Sequence, residues 1–103
     1  MIGMSLYPEP SNWRQMVTDI VKNIKTVNQT YKKPVVICEV GMDYREGATA
    51  NQMISTLKSE TEKLGYVDGI FYWEPEAPAG FNGGYNKGCF LNGRHNGALS
   101  SFK

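Results

Sequence analysis

The sequence has little of what nucleophilic triads and metal centres are built from. His95 is its one histidine, and it lies in an Asn-Gly-rich tail. With no second histidine and no serine elbow, neither a Ser-His-Asp triad nor a zinc centre has its parts, and His95 is read as a surface or structural residue. The two cysteines, Cys38 and Cys89, are too few and too far apart for a metal knuckle or a disulfide framework. Cys38 sits in an apolar run and is read as a small buried hydrophobe. Eleven basic against ten acidic residues, scattered along the chain, leave no electrostatic footprint for nucleic acid or an anionic membrane surface. No apolar run approaches the roughly 20 residues that cross a bilayer. The start, MIGMSLYPEP, lacks the basic, apolar, small-residue order of a signal peptide. The reading is a soluble chain with neither a nucleic-acid nor a membrane partner.

What is present suffices for one domain, residues 1–103, with a modest core: 41% of the residues are hydrophobic and 20% charged. Ile2 to Leu6 is a short apolar run that Tyr7-Pro8 ends, since proline cannot continue strand pairing. Trp13, Met16, Val17, Ile20, Val21, Ile24 and Val27 follow the three-and-four spacing of one helical face, with Ser11 or Asn12 placed to cap it. Tyr31-Lys32-Lys33-Pro34 breaks that helix, and Val35 to Val40 reads as a strand apolar on both faces. Met53, Ile54, Leu57 and Leu64 mark a second helix closed by Gly65. Val67 to Trp73 is a third strand, Glu74 to Gly97 a long Gly/Asn-rich loop, and Ala98 to Phe102 a short helix. Strands near 2–6, 35–40 and 67–73, alternating with helices near 12–30 and 49–64, imply a parallel α/β sheet with both helices on one face. Three such strands leave two open edges, so the reading is a piece of something larger.

Within PVVICEVG, residues 34 to 41, Glu39 is out of place. A carboxylate costs several kcal/mol to desolvate unless partners stabilise it. In parallel α/β proteins, however, chemistry gathers at the C-terminal strand ends. Here those ends carry Tyr7, Glu39 and Trp73. Aromatic faces cover the C–H surfaces of sugars, and a carboxylate can attack or stabilise an oxocarbenium-like anomeric carbon. A tyrosine hydroxyl donating to that carboxylate would orient it.

The phrases IGMSLYPEP, KPVVICEVGMDY, GIFYWEPEA and FLNGRHNGALSSF, in that order, resemble the last three strands of the (β/α)8 barrel in the endo-β-1,4-galactanases of glycoside hydrolase family 53. The resemblance implies the C-terminal three βα units of a TIM barrel, strands six to eight. It implies retaining hydrolysis of β-1,4-galactan or arabinogalactan, with no cofactor. It further implies that Glu39 is the nucleophile, that Tyr7 hydrogen-bonds it, and that Trp73 floors the sugar subsite. A full-length protein of this kind is expected to be secreted or periplasmic.

A retaining enzyme needs a second carboxyl group about 5 Å from the first, and in these barrels it follows an asparagine on the fourth strand. No Asn-Glu pair occurs in this chain, so the general acid/base and the first five strands are expected to be missing and the isolated chain inactive. The open strand edges call for cover, by that N-terminal half or by a second copy. Some relatives hold calcium near the last loop, but Asn82, Asn86 and the glycines around them form no carboxylate-rich set, and no metal is assigned. Plainer readings stand beside these. Glu39 could pair with Lys33 or Arg45, Tyr7 and Trp73 could be packing residues, and Glu74 could supply a second carboxyl. Phe81, Tyr85 and Phe90 could line a subsite or merely pin their loop. The alternative to an enzyme fragment is a non-catalytic carbohydrate-binding or structural α/β module.

Overall fold

The computed structural model describes residues 1–102. Strand β1 (Ile2–Leu6) leads to helix α1 (Trp13–Tyr31), β2 (Val35–Val40), α2 (Gly47–Glu62) and β3 (Val67–Tyr72). A loop with a 3-10 turn at Phe81–Gly83 follows, then a small hairpin, β4 (Phe90–Leu91) and β5 (Arg94–His95), and a 3-10 helix at Ala98–Phe102. The three long strands form one parallel sheet in the order β1-β2-β3. This is a partial βα layer of the kind found in a TIM barrel. Among the described residues no helix is long and apolar enough to cross a membrane.

The helical spacing works as read. Trp13, Val17, Ile20 and Ile24 of α1 are buried, as are Met53, Ile54 and Leu57 of α2. All of them join one core cluster with Val35, Ile37 and Val40, so both helices cover the same face of the sheet. Helix α1 stops because Lys32 turns left-handed (φ 53°), donating its N–H to the Asn28 carbonyl, while the Asn28 amide reaches the Lys33 carbonyl at 2.9 Å. At the other end the expected cap is absent. Asn12 stands at the capping position, but its side-chain oxygen accepts the Glu9 N–H at 2.8 Å, and the turn before the helix takes the acceptor.

The second strand differs from its reading in an informative way. It is apolar on both faces only in sequence: Val35, Ile37 and Val40 have no exposure, whereas Cys38 is exposed. Cys38 is therefore not a buried hydrophobe, because the helices cover one face of the sheet and Cys38 points to the other. Its position coincides with a register break. Met4 pairs with Ile37 but Ser5 with Glu39, leaving one extra residue in β2. The same slip recurs against β3, where Ile37 pairs with Ile70 but Val40 with Tyr72. A bulge of one residue exchanges the faces of everything beyond it. Strict alternation from Val35 would send Glu39 into the helix-packed core and Val40 out of it. With the bulge, Val40 is buried and the Glu39 carboxylate stays half-exposed.

The long loop is firmly held. The Tyr72 hydroxyl donates to the Lys87 carbonyl at 2.9 Å and accepts the Met42 N–H at 3.3 Å. Cys89 N–H meets the Pro75 carbonyl at 2.7 Å, and its thiol is fully enclosed. The Asn96 amide donates to the Tyr44 carbonyl at 2.9 Å. Gly88 passes so close to Ala77 that a Cβ there would sit 2.1 Å from the carbonyl oxygen. These contacts draw the loop back over the C-terminal edge of the sheet.

Candidate active site

Three strand ends and one loop converge at that edge. Tyr7 follows β1, Glu39 ends β2, Trp73 follows β3, and Tyr85 comes from the loop beyond. The Tyr7 hydroxyl donates to Glu39 Oε2 at 2.6 Å, a short charge-assisted bond between adjacent strands. Residues 2, 4 and 6 of β1 turn toward the helices while Gly3 and Ser5 are exposed, so Tyr7 continues the uncovered face. The β2 bulge brings Glu39 to the same face. Burial, reinforced by the Glu39 carboxylate, raises the Tyr7 phenol well above its ordinary range. Tyr7 therefore keeps its proton at any working pH and remains a donor.

Trp73 ties into the sheet by its backbone, N–H to the Val40 carbonyl at 3.0 Å, and 45% of its surface is open to solvent. Phe71, two residues back on the same face, is exposed as well. Glu74 adopts a left-handed backbone (φ 48°) directly before Pro75, which turns the chain sharply away from the strand. Lys33 and Arg45, the alternative partners for Glu39, play no such part. Arg45 grips Asp43 through two side-chain bonds of 2.9 and 2.7 Å, which hold the Asp43 carboxyl down to about 2. Beside them lies a cleft of about 530 Å³ lined by Tyr7, Pro8, Glu9, Asp43, Glu46 and Lys87.

Of the two readings of Tyr85, its contacts fit the one in which it pins its loop, here to the strand ends. Its ring meets Tyr7 edge-on, 6.3 Å between centroids at 89°, and its hydroxyl donates to the Trp73 carbonyl at 3.0 Å. Burial pushes its phenol up to about 12. Phe81 and Phe90 remain substantially exposed, Phe90 packed edge-on to His95. Tyr72 was missed as a loop anchor. A tyrosine at the covered end of a largely apolar strand was the available signal, since a buried hydroxyl needs a partner. Asn86 uses its side-chain oxygen to accept the Gly80 N–H at 2.8 Å, a turn-stabilising contact. Among the described residues no three His, Cys, Asp or Glu side chains gather into a metal site.

A carboxylate held by a tyrosine and a solvent-open tryptophan thus stand at neighbouring strand ends, at the C-terminal edge of a parallel α/β sheet. Residues 1–67 match glycosyl hydrolase family 53, and the chain belongs to that family. The match includes Tyr7 and Glu39, while Trp73 and Tyr85 lie beyond it. No curated protein matches the chain.

Proposed function

We propose that this chain forms strands six to eight of a retaining endo-β-1,4-galactanase barrel, with Glu39 as nucleophile, Tyr7 orienting it and Trp73 flooring the adjoining sugar subsite. The 2.6 Å bond from Tyr7 to Glu39 carries the reading, because it fixes one carboxylate oxygen and leaves the other to attack. In the first step Glu39 forms a bond to the anomeric carbon as the glycosidic C–O bond breaks, and the departing oxygen takes a proton from a general acid. In the second, water attacks the glycosyl ester, its proton returns to that acid, and Glu39 is released. The acid belongs to the N-terminal half of the barrel, about 5 Å from Glu39. The same half, or a second copy, covers the outer edges of β1 and β3, each of which has a single neighbour. The substrate is a β-linked galactan or arabinogalactan.

Without the acid, the isolated chain should cleave galactan negligibly, since proton donation to a poor leaving group contributes roughly 10² to 10⁴ in rate. Glu39→Gly in the full-length enzyme tests the nucleophile. It should abolish turnover of galactan, while added azide should restore cleavage of an activated aryl galactoside and give an α-galactosyl azide. Turnover that survives the substitution, or a rescued product of β configuration, would remove Glu39 from the role.

A further inference from the structure

Gly41 is a glycine for reasons of space. It lies outside the left-handed region, so its backbone suits any residue. Yet a Cβ at this position would fall 2.8 Å from the Tyr85 hydroxyl oxygen and 3.2 and 3.3 Å from two atoms of the Tyr7 ring. The backbone just past Glu39 is thus wedged against two tyrosines at once. The Gly41 N–H is itself fixed, donating to the Leu6 carbonyl at 3.2 Å. Tyr85 in turn is anchored at both ends. Its N–H bonds the Phe81 carbonyl at 3.0 Å, its hydroxyl bonds the Trp73 carbonyl, and Lys87 Nζ stands 5.6 Å over its ring.

We infer that Tyr85 is a positioning residue for hydrolysis: it acts on Glu39 through the edge of Tyr7, fixes the backbone of Trp73, and can do both because residue 41 has no side chain. One loop residue thereby sets the distance between the donor that orients the nucleophile and the aromatic floor of the subsite. Tyr7 alone could swing about its side-chain torsions. The Tyr85 ring edge restricts that swing, and the hydroxyl bond to Trp73 refers its position to the third strand. The inference rests on the assignment of Glu39 as nucleophile.

The test uses the full-length enzyme and four variants: Tyr85→Phe, Gly41→Ala, the two combined, and Glu39→Gln. Rates are taken per active site, counted by the burst of aryl alcohol. Tyr85→Phe keeps the ring and loses one hydrogen bond, so kcat should fall roughly 2- to 10-fold with KM little changed. Gly41→Ala crowds both tyrosines, and since a misplacement of about 1 Å costs on the order of 10²-fold in kcat, a loss of up to that size is expected. Adding Tyr85→Phe removes the atom in the 2.8 Å collision and should return at least about tenfold of that loss. A residue that only stabilises the fold would lower the number of active sites and leave kcat per site alone. If Glu39→Gln is inactive while Tyr85→Phe keeps full kcat, or the combined variant recovers nothing over Gly41→Ala, this inference falls and the nucleophile stands. If Glu39→Gln keeps its turnover, the assignment beneath it falls first.

Discussion

The two faces of the sheet differ in composition and serve opposite ends. On the helix side, Val35, Ile37 and Val40 are completely enclosed and meet Ile24, Met53, Ile54 and Leu57 in one cluster. On the other side, Gly3, Ser5, Cys38 and Phe71 are exposed, and the same face ends in Tyr7, Glu39 and Trp73. The first face supplies the energy that holds the strands in register. The second leaves the strand ends free to present polar and aromatic groups. The residue that divides them is Cys38, whose insertion turns Glu39 from the first face to the second. The placement of Glu39 thus depends on one extra residue in a six-residue strand.

The largest effect that would sharpen this contrast is in the enclosed face. Ile37→Ala removes most of a side chain with no exposure and should cost about 2 to 5 kcal/mol of unfolding free energy, measured by urea titration. Val36→Ala, one residue away and facing the open side, should cost less than about 1 kcal/mol. Equal losses at the two positions would break the comparison.

A smaller effect is expected in alkali. Cys89 is raised to about 11 and Tyr85 to about 12, and Tyr72 and Tyr7 are raised further, burial being the first cause in each case. The folded state therefore keeps protons that the unfolded chain gives up. These groups contribute fully below the unfolded values, 9.0 for the thiol and 10.0 for the phenols. Stability should fall as pH rises from about 9 through 12. The fall should be shallower in Tyr72→Phe, which has one fewer group to ionise. A melting temperature flat across that window would contradict the enclosed positions of these groups.

The smallest effect belongs to the Asp43–Arg45 pair, which lies at the surface with the Arg45 side chain 68% exposed. Arg45→Gln should leave the urea midpoint unchanged within error at neutral pH, as exposed ion pairs generally do. A clear shift would mean that Arg45 supports the strand end near Glu39 and would revive its reading as a partner of that carboxylate.

Much of this arrangement is legible in the sequence, for reasons that differ by element. Helix α1 shows itself because four buried positions recur at helical spacing, and the strands because short, largely apolar runs end at Pro8, Gly41 and Pro75. Tyr7, Glu39 and Trp73 are visible as two aromatic residues and a carboxylate at three successive strand ends. The bulge at Cys38 is not visible, since register depends on which residue of β1 lies opposite, and no local propensity records that. Cys38 was accordingly placed inside. A trace did exist: Glu39 followed by an apolar Val40 fits one covered face only if the alternation slips. The Tyr85 contacts were hidden for another reason. They depend on the path of a loop without periodicity, held by pairings such as Asn96 with Tyr44 that lie 52 residues apart.

The most direct measurement of the central claim is to expose the full-length enzyme to an activated 2-deoxy-2-fluoro-β-galactoside and map the trapped glycosyl ester by peptide mass spectrometry. The fluorine slows hydrolysis of the intermediate, and the good leaving group makes a general acid unnecessary for its formation. The label should fall on Glu39, in the peptide spanning the bulge, with one sugar per chain. A label on Glu74 or on any other carboxylate would contradict the account and return Glu39 to the role of a strand-end residue held by Tyr7.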